Sequence, residues 1–100
     1  MSRTSVIRYV TRPEAADENA RLVAAVYAAL AEAKPDDLEY ATYRLDDGVT
    51  FVHVAKLPDD TNPLASIPAF AEFQREIMDR CVEQPDPRAA TLVGQYRSGS

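Results

Sequence analysis

The tripeptide Asp46-Asp47-Gly48 constrains this chain most, because it separates two runs, residues 38–45 and 49–57, that are rich in β-branched and aromatic side chains. Two such runs around an acidic, glycine-ended turn specify a β-hairpin. Gly48 suits the left-handed position of a three-residue loop. That loop pairs Leu45 with Val49, sets Ala41 opposite His53 and leaves Glu39 and Tyr43 as the diagonal neighbours of His53. A four-residue loop instead pairs Thr42 with His53, with Tyr40 and Arg44 diagonal, and places Glu39 opposite Lys56. Turn chemistry favours the first register.

The flanking segments extend the pattern. Val6-Ile7-Arg8-Tyr9-Val10-Thr11 reads as a strand that Arg12-Pro13-Glu14 ends. Thr11 and Glu14 have capping-box spacing. A helix over residues 14–34 follows, with Val23, Val26, Tyr27 and Leu30 on one face and an Asp17–Arg21 pair on the other. Pro35-Asp36-Asp37 stops it. After a polar loop over 58–63, Asn62 or Ser66 caps a second helix over 66–82. Phe70, Phe73, Ile77 and Cys81 form its apolar face, and Glu76 and Arg80 pair on its surface. Gln84-Pro85-Asp86-Pro87 breaks the helix, residues 91–96 form the last strand, and 98–100 fray.

The order βαββαβ predicts one ferredoxin-like α+β domain spanning residues 1–100, with an ordered core over about 6–97. Its four-stranded antiparallel sheet carries both helices on one face. The strands are apolar on both sides, as in Val6 and Val10 against Ile7 and Tyr9, whereas a solvated sheet face alternates with polar residues. A second sheet should therefore pack on the first, and a homodimer is its simplest source.

Charge narrows the partners. A net charge of −5, with arginines scattered among acids, argues against nucleic acid and anionic membrane surfaces. No apolar run reaches the ~20 residues of a membrane helix, and Met1–Ser5 lacks a signal-peptide core, so a cytoplasmic location is expected. Cys81 is the sole cysteine, which excludes an intrachain disulfide and fits an inert buried thiol. The aspartate doublets fall in loops, where they form turns. Neither a metal site nor a cofactor site is expected.

The chain resembles the dimeric α+β barrel superfamily, in particular its antibiotic-biosynthesis-monooxygenase-like members. The resemblance spans nearly all of residues 6–97. It rests on element order, on the hairpin Leu45-Asp46-Asp47-Gly48-Val49-Thr50-Phe51-Val52-His53-Val54 and on Pro68-Ala69-Phe70-Ala71-Glu72-Phe73 opening the second helix. It implies a dimeric barrel and a cofactor-independent, monooxygenase-like enzyme acting on a small aromatic or polyketide-like molecule. The alternative is a non-catalytic dimeric module that binds a small apolar ligand or supports assembly. Quinone-forming and haem-degrading members use an Asn, Trp and His set. Here tryptophan is absent, the first strand has no Asn and the second helix has no His, so that set has no counterpart.

His53, the only histidine, lies mid-strand in an apolar run. It is the candidate general base, with Tyr40, Tyr43 and Arg44 as candidate ligand-binding groups that steady an anion. The plainer alternative makes it a packed histidine satisfied by a neighbouring hydroxyl.

Overall fold

A computed structural model describes residues 2–98 and bears out the βαββαβ order. Strand β1 (Ser2–Thr11) leads through a short 3₁₀ turn to helix α1 (Ala16–Ala33). The hairpin follows as β2 (Glu39–Arg44) and β3 (Thr50–Pro58). Helix α2 (Pro68–Gln74), a single helical turn α3 (Ile77–Arg80) and strand β4 (Cys81–Ala90) complete the chain. The sheet is antiparallel in the order β2-β3-β1-β4. α1 and α2 pack together on one face, where Tyr9, Phe51, Ala55 and Leu57 of the sheet meet Val23, Val26 and Phe73 of the helices.

The sheet does not close into the barrel that the resemblance implied. β2 and β4 are its two edges and do not pair with each other. Closure needs roughly eight tilted strands, and four twisted ones leave an open sheet.

The hairpin takes the four-residue register, with Thr42 opposite His53 and Glu39 opposite Lys56, which corrects the three-residue expectation. Its cause is the carboxylate of Asp47. One oxygen accepts the N–H groups of Val49 and Thr50 at 3.0 and 2.9 Å, and the other accepts the Thr50 hydroxyl at 2.6 Å. Gly48 still takes a positive φ of 80°. A one-residue slip turns every side chain of a strand over, so Tyr40, Thr42 and Arg44 face the helices while Tyr43 faces outward.

The second helix is much shorter than its apolar periodicity predicts. Arg75 is extended and Glu76 is left-handed, with φ 64°. The segment that reads as a helix breaker, Gln84–Pro87, instead lies in the middle of β4. Proline is compatible with an edge strand, where one row of N–H groups has no partner, and Pro87 lies opposite Ile7 on that edge. Residues 91–96, expected to form the last strand, lie outside the sheet and are exposed, as are 97 and 98; Gly99 and Ser100 of the expected frayed tail lie outside the described residues.

Smaller departures have local causes. Thr11 belongs to β1 and its hydroxyl donates to the Val49 carbonyl at 3.4 Å, so it does not cap α1, and Asp17 pairs with Arg44 at 3.1 Å rather than with Arg21. Asn62 does cap, but it caps the 3₁₀ turn before α2 by accepting from the Leu64 N–H at 3.0 Å. Lys34 ends α1 with φ 47°, while its N–H donates to the Leu30 carbonyl. The left-handed conformation costs an L-residue about 1–2 kcal/mol. Lys34→Gly should therefore raise the melting temperature by several degrees in a circular dichroism melt, and an unchanged or lowered temperature would contradict the assignment.

Candidate functional site

The register brings four polar side chains from three adjacent strands onto the helix-covered face. His53 on β3 is 3% exposed. Its Nε2 lies 2.8 Å from the Tyr9 hydroxyl of β1, and its Nδ1 lies 2.7 Å from the Tyr40 hydroxyl and 3.1 Å from Thr42 Oγ1, both of β2. Tyr27 of α1 joins Thr42 at 2.8 Å. On the other side Asn19 of α1 donates to the Tyr9 oxygen at 2.9 Å, and the Arg80 Nε donates to Asn19 Oδ1 at 3.1 Å. The chain of contacts thus runs from a buried guanidinium across the imidazole to two hydroxyls.

Aromatic rings enclose the imidazole. Its centroid is 5.3 Å from that of Tyr9, 5.4 Å from that of Phe73 and 5.7 Å from that of Tyr40. Burial in this low-dielectric setting disfavours the imidazolium and pushes the His53 pKa down to about 4, which makes it neutral at pH 7. The same burial raises the phenols of Tyr9, Tyr27 and Tyr40 above the usual tyrosine range. Cys81 is buried at the start of β4 rather than on a helix, and burial pushes its thiol up, so its surroundings do not favour a nucleophilic thiolate.

His53, Tyr9 and Tyr40 line a cavity of about 670 Å³ between sheet and helices. Its other walls are mainly apolar, including Ile7, Leu64, Phe70 and Phe73. A few convergent polar groups in an apolar cavity of this size are the usual make-up of a small-molecule site. A groove of about 820 Å³ on the opposite face, bordered by Val54, Lys56 and Leu92, is larger but lacks His53 and Tyr9. We place the candidate site in the first, where the polar network converges.

Of the residues singled out in the sequence, the fold brings His53 and Tyr40 together at this cavity. Tyr43 is 58% exposed on the outer face. Arg44 lies on the inner side at the hairpin end, over the Phe51 ring and paired with Asp17, and does not line the cavity. Tyr9, Asn19 and Arg80 are additions that the structure makes. Asn19 did carry a signal, since it precedes Val23 and Val26 by four and seven residues on the apolar stripe of α1. Arg80 likewise stands ten residues after Phe70 on the face shared by Phe73 and Ile77. It is 6% exposed and does not form the surface pair with Glu76 that helical spacing suggests.

No protein-family model matches the chain, and no curated protein sequence matches it significantly. Solved structures do share its fold. A Bacteroides thetaiotaomicron protein, provisionally named an antibiotic biosynthesis monooxygenase, superposes with a TM-score of 0.81 at 12% identity, covering 99% of this chain and 96% of the other. Rv0793 of Mycobacterium tuberculosis gives 0.74 at 14% identity, covering 97% and 100%. SnoaB, a cofactor-independent oxygenase of Streptomyces nogalater, gives 0.68 at 16% identity, covering 94% and 95%. The chain therefore has the fold of antibiotic-biosynthesis-monooxygenase-like proteins; at such identities the likeness is one of fold. Among the described residues no helix is long and apolar enough to cross a membrane.

Proposed function

We propose that the chain is a cofactor-independent oxygenase that removes a proton from a small, planar, phenolic or enolisable molecule held in the His53 cavity. The observation that carries this reading is the neutral, buried imidazole joined to two tyrosine hydroxyls at the polar end of an apolar cavity. His53 is the proton acceptor, reached through the Tyr9 hydroxyl at its Nε2, and Tyr40 steadies the anion left behind. With a pKa of about 4, the imidazolium costs roughly 4 kcal/mol at pH 7 unless an anion forms beside it. Proton transfer and anion formation are therefore coupled. The resulting electron-rich anion is the reductant for dioxygen: one oxygen atom enters the ring, the other leaves as water, and the phenol becomes a quinone by losing two hydrogens. Supplying polycyclic phenols without added metal or flavin should give dioxygen uptake and that product. Failure across a broad panel would remove the oxygenase assignment.

A second reading, a non-catalytic module that works as a dimer, rests on the outer sheet face. Val6, Val10, Val52 and Val54 there are only half-buried, and Tyr43 is exposed. A contiguous apolar face on so small a chain favours self-association. Sedimentation at micromolar concentration should show a dimer, and Val54→Glu should yield monomers with unchanged far-UV circular dichroism. A monomeric native chain would exclude this reading.

A further inference from the structure

Arg80 is the one buried Lys or Arg among the described residues, and none of their carboxylates lies within ion-pair distance of it. Its guanidinium is instead solvated by carbonyl dipoles. Nη2 donates to the Phe73 oxygen at 2.6 Å and Nη1 to the Arg75 oxygen at 3.2 Å, both at the C-terminal end of α2, where unpaired carbonyls carry partial negative charge. The group also lies 5.5 Å from the centroid of the Phe73 ring. Only Nε reaches a side chain, the amide oxygen of Asn19.

That single contact has consequences along the chain of hydrogen bonds. Arginine offers donors only, so the Asn19 amide must turn its oxygen to Arg80 and its NH₂ to Tyr9. The Tyr9 oxygen then accepts from Asn19 and keeps one proton to give, with His53 Nε2 at 2.8 Å as its acceptor. A neutral imidazole that accepts at Nε2 carries its proton on Nδ1. That proton goes to the Tyr40 oxygen at 2.7 Å, with Thr42 as the longer partner at 3.1 Å. The Tyr40 proton is left over. Its one acceptor inside the network is the Thr42 hydroxyl, which Tyr27 also engages, so an oxygen of a molecule in the cavity that Tyr40 lines can take that proton. The opposite direction, with Nε2 donating to Tyr9, is disfavoured because polarisation of the Asn19 N–H by Arg80 makes Tyr9 a better donor and a poorer acceptor.

We propose that Arg80 is a positioning residue: acting through Asn19, it fixes the direction of the hydrogen bonds through Tyr9 and His53 and so makes Tyr40 the hydroxyl that donates to an oxygen of the bound molecule. The last clause rests on the cavity being the ligand site; the direction of the bonds does not. The bound molecule would present an acceptor, a carbonyl or phenolate oxygen, to Tyr40.

The single histidine makes the test direct, since an untagged ¹⁵N-labelled chain has one imidazole. Long-range ¹H–¹⁵N correlation spectra at pH 7 distinguish a proton on Nδ1 from one on Nε2. The ligand-free native chain should show the Nδ1–H form. In Asn19→Asp the new carboxylate accepts from both Arg80 and Tyr9, so Tyr9 no longer donates to His53 and the spectrum should switch to the Nε2–H form. That variant also gives Arg80 an ion-pair partner, which favours a folded protein. Arg80→Met should give a mixture of the two forms. A native chain in the Nε2–H form overturns the proposal outright, and so does an Asn19→Asp variant still in the Nδ1–H form. A purely structural role for Arg80 and Asn19 would change the melting temperature and leave the tautomer alone. The tautomer is read without substrate, so failure to find oxygenase turnover leaves this result intact.

Discussion

Acidification from pH 7 to pH 4 should destabilise the native chain by about 3 kcal/mol more than a His53→Gln variant. The cause is the folded-state pKa of about 4 against the ordinary histidine value of 6.5. Above pH 6.5 the imidazole is neutral in both folded and unfolded chains, and its protonation contributes nothing to the balance. Between pH 6.5 and 4 the unfolded chain binds a proton that the folded chain refuses, so folding stability drops by about 1.4 kcal/mol per unit. Below pH 4 both states are protonated and the loss levels off. The groups around the ring that titrate are Tyr9 and Tyr40, whose raised pKa values keep them neutral across this window. Asp47 and Glu72, held low by hydrogen bonds from Thr50 and Arg75, add their own acid sensitivity. They are present in both proteins and cancel in the comparison. Urea unfolding at several pH values measures the difference, and parallel curves for the two proteins would show that His53 is not held neutral by burial.

The same substitution should abolish turnover. General-base groups contribute about 10²–10⁴-fold, so His53→Gln should reduce kcat by at least two orders of magnitude while the glutamine amide keeps hydrogen bonds to the tyrosines and preserves the fold. Tyr9→Phe, which cuts the path from Asn19 to His53 but opens Nε2 to the bound molecule, should lower kcat by less and leave ligand affinity nearly unchanged. If His53→Gln lowers only the melting temperature or ligand affinity, the imidazole is a packed or ligand-binding residue and the base assignment fails.

The contrast between what could and could not be read from the sequence follows one physical division. Alternation within single elements was legible: β1, α1, the hairpin and the left-handed Gly48 are local features set by periodicity and turn chemistry. Features that depend on a distant partner were not. The hairpin register turned on the Asp47 carboxylate outcompeting a shorter loop. Proline's ban from sheets holds for central strands, so Pro85 and Pro87 hid an edge strand. The end of α2 is set by Arg75 and Glu76 leaving helical geometry and by Arg80 capping the freed carbonyls, a contact no helical spacing reveals. His53 stood out as a lone ionisable group in an apolar strand. Its partners could not be assigned because a one-residue slip exchanges Tyr40 and Thr42 for Tyr43. Asn19 and Arg80 were polar interruptions of apolar stripes, and only tertiary packing shows that the two interruptions meet.

Titration of the ¹⁵N-labelled chain with 2-naphthol tests whether the His53 cavity receives a planar phenolic molecule at its polar end. Saturable shifts of the His53 imidazole and of residues on the cavity wall such as Ile7 and Leu64 are expected, with the wall shifts weakened in His53→Gln. Absence of saturable binding, or shifts confined to the outer groove around Thr4, Val54 and Leu92, would contradict it.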